Sequence, residues 1–164
     1  MGYIRRIVLL LLLAANMQVW GGNRYLLVKA GDAQSLLQTL ALADSLNRDS
    51  LAERLFILIP NGYYDLGQTV LTPILGNNVA LIGESMEGTI IRNAPPVEQE
   101  GIGKTATLLN LGMNTYVQDL TLKNDLDYYH SGAAGRAVCW QDKGNRTMFK
   151  RVRMLSYQIG RAHV

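Results

Sequence analysis

Apolar residues recur at helical spacing near the start of the chain and at strand spacing later. From Ala33 to Leu46 the apolar residues Leu36, Leu37, Leu40 and Leu42 lie near helical spacing, which predicts a helix. Asp32 precedes this helix, where an aspartate side chain commonly caps the first turn. Strands are predicted on either side, at 24–30 and 55–59, and the Pro-Asn-Gly sequence at 60–62 predicts a turn.

After residue 62 the chain consists of short apolar runs separated by glycine and asparagine. The predicted strands are 69–71, 79–82, 89–91, 106–109, 116–117, 120–122, 137–140 and 148–157. Many short strands with such turns are typical of an all-β solenoid, sandwich or barrel. Three runs, at 79–81, 120–122 and 152–154, superpose at intervals of 41 and 32 residues. Uneven spacing of this kind favours a solenoid whose turns vary in length.

The last two predicted strands flank a polar turn at 142–145. In the second of them Met148, Val152, Met154 and Tyr157 are predicted to share one side of the strand, with three basic residues among them.

Residues 1–22 are predicted to be a secretory signal peptide rather than part of the fold. Arg5 and Arg6 precede an apolar run at 7–15, and residues 19–21 suit cleavage. The run is too short to span a membrane comfortably, so an uncleaved anchor is the weaker alternative. The mature chain is expected to begin near Asn23 and to be secreted, or to reside in the periplasm or cell envelope.

Composition describes one globular domain. The chain has 164 residues, of which 48% are hydrophobic and 18% charged, and these proportions exclude a disordered chain. The formal net charge of +3 is too small and too scattered to indicate a nucleic-acid partner, although a weakly basic surface suits a polyanion. Cys139 is the single cysteine, so no internal disulfide is possible, and its apolar neighbours favour a core position over a nucleophilic one.

Four segments of the chain resemble, in the same order, segments of the pectin methylesterase family. Residues 60–64 keep its Gly-x-Tyr spacing, 78–93 resemble its Asn-Ile-Thr-Leu-Ile-Gly-Glu…Thr-Ile-Ile segment, and 105–124 its Thr-Ala-Thr…Asp-Leu-Thr-Phe-x-Asn segment. Residues 136–158 resemble the part from its Gln-Ala-Val-Ala-Leu motif to its Tyr-Gln-Asp motif, with the same separation of 22 residues between the two glutamine positions. The likeness covers about 25–158 and stops at 159, so residues 159–164 are predicted to be a tail outside the family.

This resemblance implies a right-handed parallel β-helix, a single-stranded solenoid of the pectin-lyase type, with an N-terminal helix that caps the first turn of the solenoid. Residues 23–158 would form the N-terminal part of that domain. The implied activity is hydrolysis of the methyl esters of pectin. In the family an aspartate attacks the ester carbonyl, a second aspartate acts as general acid and then base, two glutamines stabilise the oxyanion, and an arginine orients the nucleophile.

Three site residues follow from the resemblance. Gln158 takes the place of the second glutamine, as a donor to the oxyanion. Arg136 takes the place of the first glutamine, where its guanidinium would donate toward the oxyanion or bind a galacturonate carboxylate; an ordinary solvated arginine is the alternative. Thr105 is a further substrate contact. Ile159 stands where the family has its general-acid aspartate, and the nucleophile and the orienting arginine have no counterpart, so this chain is expected to be an incomplete fragment that is inactive alone.

Other candidate sites have weaker support in the sequence. Residues 125–130, with two aspartates, two tyrosines and His130, are predicted to form either a loop beside the substrate groove or an ordinary exposed loop. His130 has no second histidine or cysteine at ligand spacing, so no metal site is predicted. The Gly-Ile-Gly-Lys-Thr sequence at 101–105 lacks the spacing of a phosphate-binding loop, and no cofactor is predicted.

Two other functions compete with the esterase. A non-catalytic or degenerate pectin-binding β-helix protein is favoured by Arg136 and by the absent aspartates. A polysaccharide lyase is less favoured, because its Ca²⁺ site needs clustered carboxylates and Asp119, Asp125 and Asp127 are few and scattered. The predicted partner is pectin or methyl-esterified polygalacturonate, with no nucleic acid or stable membrane partner, and the complete protein is expected to be a monomer. Downstream coding sequence that continues Gln158 with Asp-Thr would favour the esterase.

The signal peptide predicts where the exported chain begins. Mass spectrometry of protein recovered outside the cytoplasm should give an N-terminus near Asn23, because the arginines and the apolar run direct export and cleavage. Exported protein that retains Met1 would contradict this prediction.

Overall fold

The computed structural model describes residues 17–20, 23–49, 51–69, 72–95, 102–127, 137–157 and 159–163. Its strands are β1 (Met17–Trp20), β2 (Asn23–Leu27), β3 (Leu55–Ile59), β4 (Gly62–Asp65), β5 (Pro73–Ile74), β6 (Val79–Gly83), β7 (Thr89–Asn93), β8 (Leu108–Asn110), β9 (Tyr116–Asn124), β10 (Val138–Asp142), β11 (Met148–Ser156) and β12 (Ile159–His163). Two helices, α1 (Ala33–Leu46) and α2 (Ile102–Thr105), lie among them. Within these ranges no helix is long and apolar enough to cross a membrane.

The described strands from β2 onward pair with one another in parallel and form three faces. The first face contains β2, β3, β6 and the N-terminal parts of β9 and β11; the second contains β4, β7 and the C-terminal parts of β9 and β11; the third contains β5, β8, β10 and β12. The chain passes through the three faces in turn and then returns to the first, and we call each such circuit a rung. The molecule is therefore a parallel β-helix, as the sequence predicts.

Equivalent residues of successive rungs stack in the core. On the first face the register places five inward side chains in one column: Leu26, Ile57, Leu81, Val117 and Phe149. The first four are fully buried, and burial of a side chain of this size stabilises the fold by roughly 1.5–3 kcal/mol. Phe149 packs edge-on against the buried Trp140 of the third face, with ring centroids 5.2 Å apart. The core thus grows by one layer per rung.

The corner between the first and second faces is a single residue in the left-handed conformation. Asp119 has φ 55° and Arg151, one rung later, has φ 51°. The carbonyl of Asp119 lies so close to Gly83 of the preceding rung that a Cβ there would be 2.0 Å from its oxygen. Glycine is therefore required at this position, which explains the glycine of the Leu-Ile-Gly-Glu segment physically. Glu84, the next residue, accepts a hydrogen bond from the backbone N–H of Asn61 at 2.8 Å.

An ion pair joins the two corner residues across the rungs. The Arg151 guanidinium donates to both carboxylate oxygens of Asp119, from Nη2 at 2.6 Å and from Nε. This contact, followed by a hydrogen bond from Gln118, lowers the pKa of Asp119 to about 2. The left-handed corner also shifts the alternation of β11. Met148, predicted to share one side with Val152, Met154 and Tyr157, is 63% exposed, and Phe149 takes the inward position instead. Tyr157 is also exposed, so the predicted set of four does not share one side.

The turn from the third face back to the first repeats in successive rungs. A Cβ at Gly112 would lie 2.1 Å from the carbonyl oxygen of Gly76, and one at Gly144 would lie 2.1 Å from that of Gly112. The N–H of each glycine is bound by the last residue of the strand before it. Gly112 donates to Asn110 Oδ1 at 3.1 Å, and Gly144 donates to Asp142 Oδ1 at 3.2 Å. A polar side chain thus closes each of these turns.

Helix α1 supplies the same contact to the first rung. The strand residue in register with Asn110 is Ile74, which has no acceptor in its side chain. Asp44 of α1 takes its place, because its Oδ1 accepts from the N–H of Leu75 at 2.9 Å and from that of Gly76 at 2.8 Å. Asp44 is buried, with an exposure of 7%. Burial raises its pKa, although the two hydrogen bonds oppose this shift. The helix therefore caps the first rung through a specific contact, the two hydrogen bonds that Asp44 accepts.

Most predicted elements lie where the sequence places them. Helix α1 has its predicted bounds, and the Asp32 side chain accepts from the N–H of Ser35 at 3.0 Å as its N-cap. The runs predicted as two strands at 116–117 and 120–122 form one strand, β9, because the chain crosses the corner without leaving the sheet. The strand predicted at 69–71 lies largely outside the described residues; Thr69 itself is not in a strand.

Both ends of the chain contribute strands. Met17–Trp20, within the predicted signal peptide, pairs antiparallel with β2, and the rest of residues 1–22 lie outside the described ranges. The predicted tail forms β12, which pairs in parallel with β10. Cleavage of the signal peptide and the family boundary at residue 159 stay predictions.

Asp44 provides a test of the capping contact. Asp44→Asn keeps the Oδ1 acceptor and removes a buried charge, so we expect the free energy of unfolding at pH 7 to be unchanged or higher. Asp44→Ala leaves the N–H groups of Leu75 and Gly76 without this partner, the second of them buried, and should lower it by about 2 kcal/mol. Because the pKa of Asp44 is raised in the fold, the wild-type protein should lose stability as the pH rises through that pKa, and Asp44→Asn should not.

Urea unfolding at several pH values measures these differences. Asp49→Asn is the matched control, since Asp49 is exposed and also accepts a backbone hydrogen bond through Oδ1. If Asp44→Asn were as destabilised as Asp44→Ala, the ionised carboxylate itself would be the stabilising group and this account would be wrong.

Candidate functional site

The outer side of the second face carries charged residues from adjacent rungs. Asp65 of β4 lies beside Arg92 of β7, and Arg92 lies beside Lys123 of β9. Neighbouring strands are about 4.8 Å apart. Residues separated by 27 and 31 positions in the sequence therefore become direct neighbours on this surface.

Asp125 completes a cluster of four charges, which we call the charged cluster: Asp65, Arg92, Lys123 and Asp125. Arg92 donates from Nη1 to Asp65 Oδ1 at 2.8 Å and from Nε to Asp125 Oδ2 at 3.0 Å. Lys123 Nζ lies 2.9 Å from the same oxygen of Asp125. Two cations and two carboxylates balance, so the charged cluster has no net charge.

The pKa values in the charged cluster reflect these contacts. The hydrogen bond from Arg92 lowers the pKa of Asp65, and its two carboxylate partners, Asp65 first, raise the pKa of Arg92. Asp125 raises the pKa of Lys123. Asp65, Arg92 and Lys123 are therefore held more firmly in their charged forms near neutral pH. Paired charges of this kind suit recognition rather than acid–base catalysis.

A groove of about 290 Å³ adjoins the charged cluster. The described residues that line it come from the ends of β9 and β11 and the residue after each: Lys123, Asn124, Asp125, Met154, Leu155, Ser156 and Tyr157. Leu155 is 42% exposed and Tyr157 is 60% exposed. The groove thus combines an ion-paired side with an apolar and aromatic side, which suits a ligand that has both hydroxyl groups and apolar faces.

Asn124 fixes the floor of the groove. Its side chain is fully buried and donates to the carbonyl oxygens of Thr105 at 2.6 Å and Val138 at 2.9 Å. Its Oδ1 accepts from the N–H of Leu126 at 3.1 Å. One amide therefore ties together α2, β10 and the start of the segment after β9, which holds the groove in place.

Of the three predicted site residues, the structure describes only Thr105. Thr105 ends α2 and is fully buried, and its carbonyl accepts the hydrogen bond from Asn124 described above. Arg136 and Gln158 lie outside the described residues, as do residues 128–130 with His130. Two described residues close in sequence to Arg136 and Gln158 are joined by a hydrogen bond, which Ser156 Oγ donates to the carbonyl of Ala137 at 3.2 Å. The roles of all three residues stay predictions.

No feature of the sequence alone pointed to Asp65, Arg92 or Lys123. Each stands alone in its own segment, and their proximity depends on the register between rungs. Asp125 was singled out because it belongs to the polar segment 125–130. Aligning the apolar positions of 62–65, 89–93 and 121–124 would have placed the first three residues in one column, and this is the signal that could have found them.

Other reactive groups are not placed for chemistry. Cys139 is fully buried, and burial raises the pKa of its thiol to about 12, so it is a core residue and not a nucleophile. Its Sγ donates to the carbonyl of Leu155 at 3.0 Å. Within the described ranges, no three histidine, cysteine, aspartate or glutamate side chains come together to hold a metal ion.

Solved structures of pectin methylesterases are similar to this chain. One, in complex with a hexasaccharide, matches with a TM-score of 0.61 and 26% identity, over 75% of this chain and 40% of that one. Pectin methylesterase PemA from Erwinia chrysanthemi matches with a TM-score of 0.59 and 25% identity over the same shares. The pectin methylesterase from carrot has a TM-score of 0.57 and 25% identity, over 71% of this chain and 35% of that one.

These comparisons confirm the predicted resemblance to pectin methylesterases and the predicted right-handed parallel β-helix. This chain spans about 40% of the length of the first two structures. No protein-family model matches the sequence, and no curated protein matches it either. The comparisons therefore show that this chain has a pectin-methylesterase-like fold.

The charged cluster predicts a specific titration behaviour. In Arg92→Gln the pKa of Asp65 should rise toward its ordinary value of 3.8, because the guanidinium that stabilises the carboxylate is gone. In the wild-type protein this carboxylate stabilises the fold above its ordinary pKa, and the contribution is lost as the pH falls through the lowered pKa. An NMR titration of the Asp65 side chain measures the shift.

Arg153→Gln is the matched control for this titration. Like Arg92, Arg153 lies on the outer side of its strand, which is β11. Its guanidinium lies 3.7 Å from Glu87. An unchanged Asp65 pKa in Arg92→Gln, or an equal change in both variants, would show that the Arg92 contact does not control this carboxylate.

Proposed function

We propose that this chain is the N-terminal part of a secreted pectinesterase, a carboxylic ester hydrolase that removes methyl esters from homogalacturonan. The observation that carries the proposal is the match of 75% of the chain to the β-helix of a pectin methylesterase in complex with a hexasaccharide. The groove beside the charged cluster supports it. Tyr157, which lines that groove, immediately precedes Gln158 in the sequence, and Ala137, which follows Arg136, is hydrogen-bonded to Ser156 of its wall.

The proposed chemistry assigns one role to each predicted residue. During attack on an ester carbonyl the oxygen becomes negative, and a fixed N–H donor lowers the barrier. Gln158 supplies such a donor from its amide. Arg136 offers paired N–H groups to a galacturonate carboxylate. Thr105 is the weakest of the three assignments, because the residue is fully buried.

The nucleophile and the general acid are not supplied by the residues of this chain. Ile159 occupies the position of the general-acid aspartate in the resemblance, and no residue here matches the nucleophilic aspartate or the orienting arginine. Removal of a single oxyanion donor typically lowers the rate about 10²–10³-fold, so such a donor assists a reaction that it cannot start. The 164-residue chain is therefore proposed to bind pectin without hydrolysing it.

A non-catalytic pectin-binding protein is the second candidate. It is favoured by Ile159 and Arg136, which both depart from the family pattern. A polysaccharide lyase receives less support, because Asp119 and Asp125, two of the carboxylates available to it, are already paired with Arg151, Arg92 and Lys123. Export by the predicted signal peptide and a monomeric state complete the proposal.

Methanol release from methyl-esterified pectin tests the proposal. We expect none from the 164-residue chain, and release from a version that continues after Gln158 with the family's aspartates. The measurement is methanol per mole of protein over time.

Two outcomes would contradict this account. Equal release from the two versions would show that the added aspartates are not needed and that the mechanism is wrong. Pectin binding by an extended version that still releases no methanol would favour the non-catalytic candidate.

A further inference from the structure

Positive charge is concentrated on β11 and on the turn that leads into it. Residues 143–153 contain five cations and no carboxylate: Lys143, Arg146, Lys150, Arg151 and Arg153. All five are exposed, and we call them the basic stripe. The formal net charge of the whole chain is only +3, so the rest of the chain is formally negative. The cationic character of this protein therefore lies in one short segment of its surface.

Two members of the basic stripe face carboxylates of the preceding rungs. Arg151 Nη2 donates to Asp119 Oδ2 at 2.6 Å, and the guanidinium of Arg153 lies 3.7 Å from Glu87. Within the described ranges the other three members form no ion pair. The basic stripe therefore presents a surplus of three positive charges to solvent.

The fold arranges these charges in a row. Lys150, Arg151 and Arg153 lie on the outer side of β11 and at its corner, within about 10 Å of backbone at the usual rise of a strand. The neighbours of Lys150 and Arg153 in register on β9 are uncharged. Arg146 has φ 62° and adds a cation in the turn before β11. The row thus crosses from that turn, along the first face and over the corner, to the second face.

Cations on an outer strand have one general role, which is to keep the sheet edge from pairing with another strand. That role accounts for the members on β11, but not for Lys143 and Arg146, which lie in the turn. A row of cations also raises the local concentration of anionic ligands, and guanidinium groups bind carboxylates through paired hydrogen bonds. A ligand with repeated carboxylates therefore fits the basic stripe as a whole.

We infer that the basic stripe is a second binding site, outside the groove, for an acidic polysaccharide whose carboxylates are free. The choice of a polyuronate among polyanions rests on the proposed function, which brings such a polymer to this chain. Each unesterified uronate carries one carboxylate, so a short stretch of the polymer pairs with several cations at once. No member of the basic stripe is among the described residues that line the groove, so the two sites can be altered separately.

Two double substitutions with the same change in charge test the site. Arg146→Gln/Lys150→Gln removes two unpaired members of the basic stripe. Because an exposed ion pair contributes about a factor of three to binding, the affinity for a free polyuronate should fall roughly tenfold. Lys29→Gln/Arg48→Gln is the matched control, since it removes two exposed cations near the first rung. It should leave the affinity unchanged, because charges beyond about 10 Å are screened at moderate salt.

Isothermal titration calorimetry with the 164-residue chain measures these affinities. The probe is one short, fully de-esterified oligogalacturonate, and a single-stranded DNA of equal charge is the comparison. Tyr157→Ala alters the groove and leaves the basic stripe intact, so it should not change the affinity for this probe. Thermal unfolding shows whether each variant is folded, and light scattering shows whether it aggregates.

A loss of affinity in Arg146→Gln/Lys150→Gln alone supports the inference. An equal loss in the control double substitution, or in Tyr157→Ala, overturns it, because binding then follows net charge or occurs in the groove. Tighter binding of the DNA would assign the basic stripe to nucleic acid and overturn the choice of a polyuronate. Aggregation of the stripe variant with unchanged affinity would leave edge protection as the only role. If that variant does not fold, Lys143→Gln should lower the affinity about threefold, and an unchanged affinity overturns the inference.

Methanol release from the extended version tests the proposed function separately. Release without any effect of the basic stripe on polyuronate binding overturns this inference and leaves the proposed function standing. Polyuronate binding at the basic stripe by an extended version that releases no methanol overturns the esterase and leaves the second binding site.

Discussion

The close approach of each rung to the rung before it is the constraint on which this structure depends. Parallel strands about 4.8 Å apart leave room for side chains that point inward or outward, but not at the corners, where backbones meet. A Cβ at Gly83 or at Gly112 would lie about 2 Å from a carbonyl oxygen of the neighbouring rung. Glycine at these corner positions is therefore required for one rung to stack on the next. Without them the columns of buried leucine, isoleucine and valine could not form.

The same approach requires that polar backbone groups at the corners find partners. Asn110 and Asp142 each bind the N–H of the following turn glycine, and both are buried. Where the first rung has Ile74 instead, α1 reaches across with Asp44. An unpaired buried N–H costs about 1–3 kcal/mol, so the helix is integral to the first rung and does more than shield its apolar end.

Stacking also creates the candidate site. Asp65, Arg92 and Lys123 come from three rungs and form one ion-paired surface because the register places them side by side. Paired charges of this kind suit recognition rather than acid–base catalysis. The groove beside Tyr157 is the place where recognition and the proposed oxyanion donor would meet.

The sequence by itself determined the elements whose causes are local. Helix α1 follows from its leucine spacing and from Asp32, and β3, β6 and β7 follow from short apolar runs that end in turn residues. The ordered motifs also indicated the fold and the family resemblance. Only the tertiary structure decided the inward position of Phe149 in place of Met148, the contact of Asp44 with Gly76, and the charged cluster. These depend on left-handed corners and on the register between rungs, which bring together residues about 30 positions apart, and no local pattern of apolar and polar residues encodes that distance.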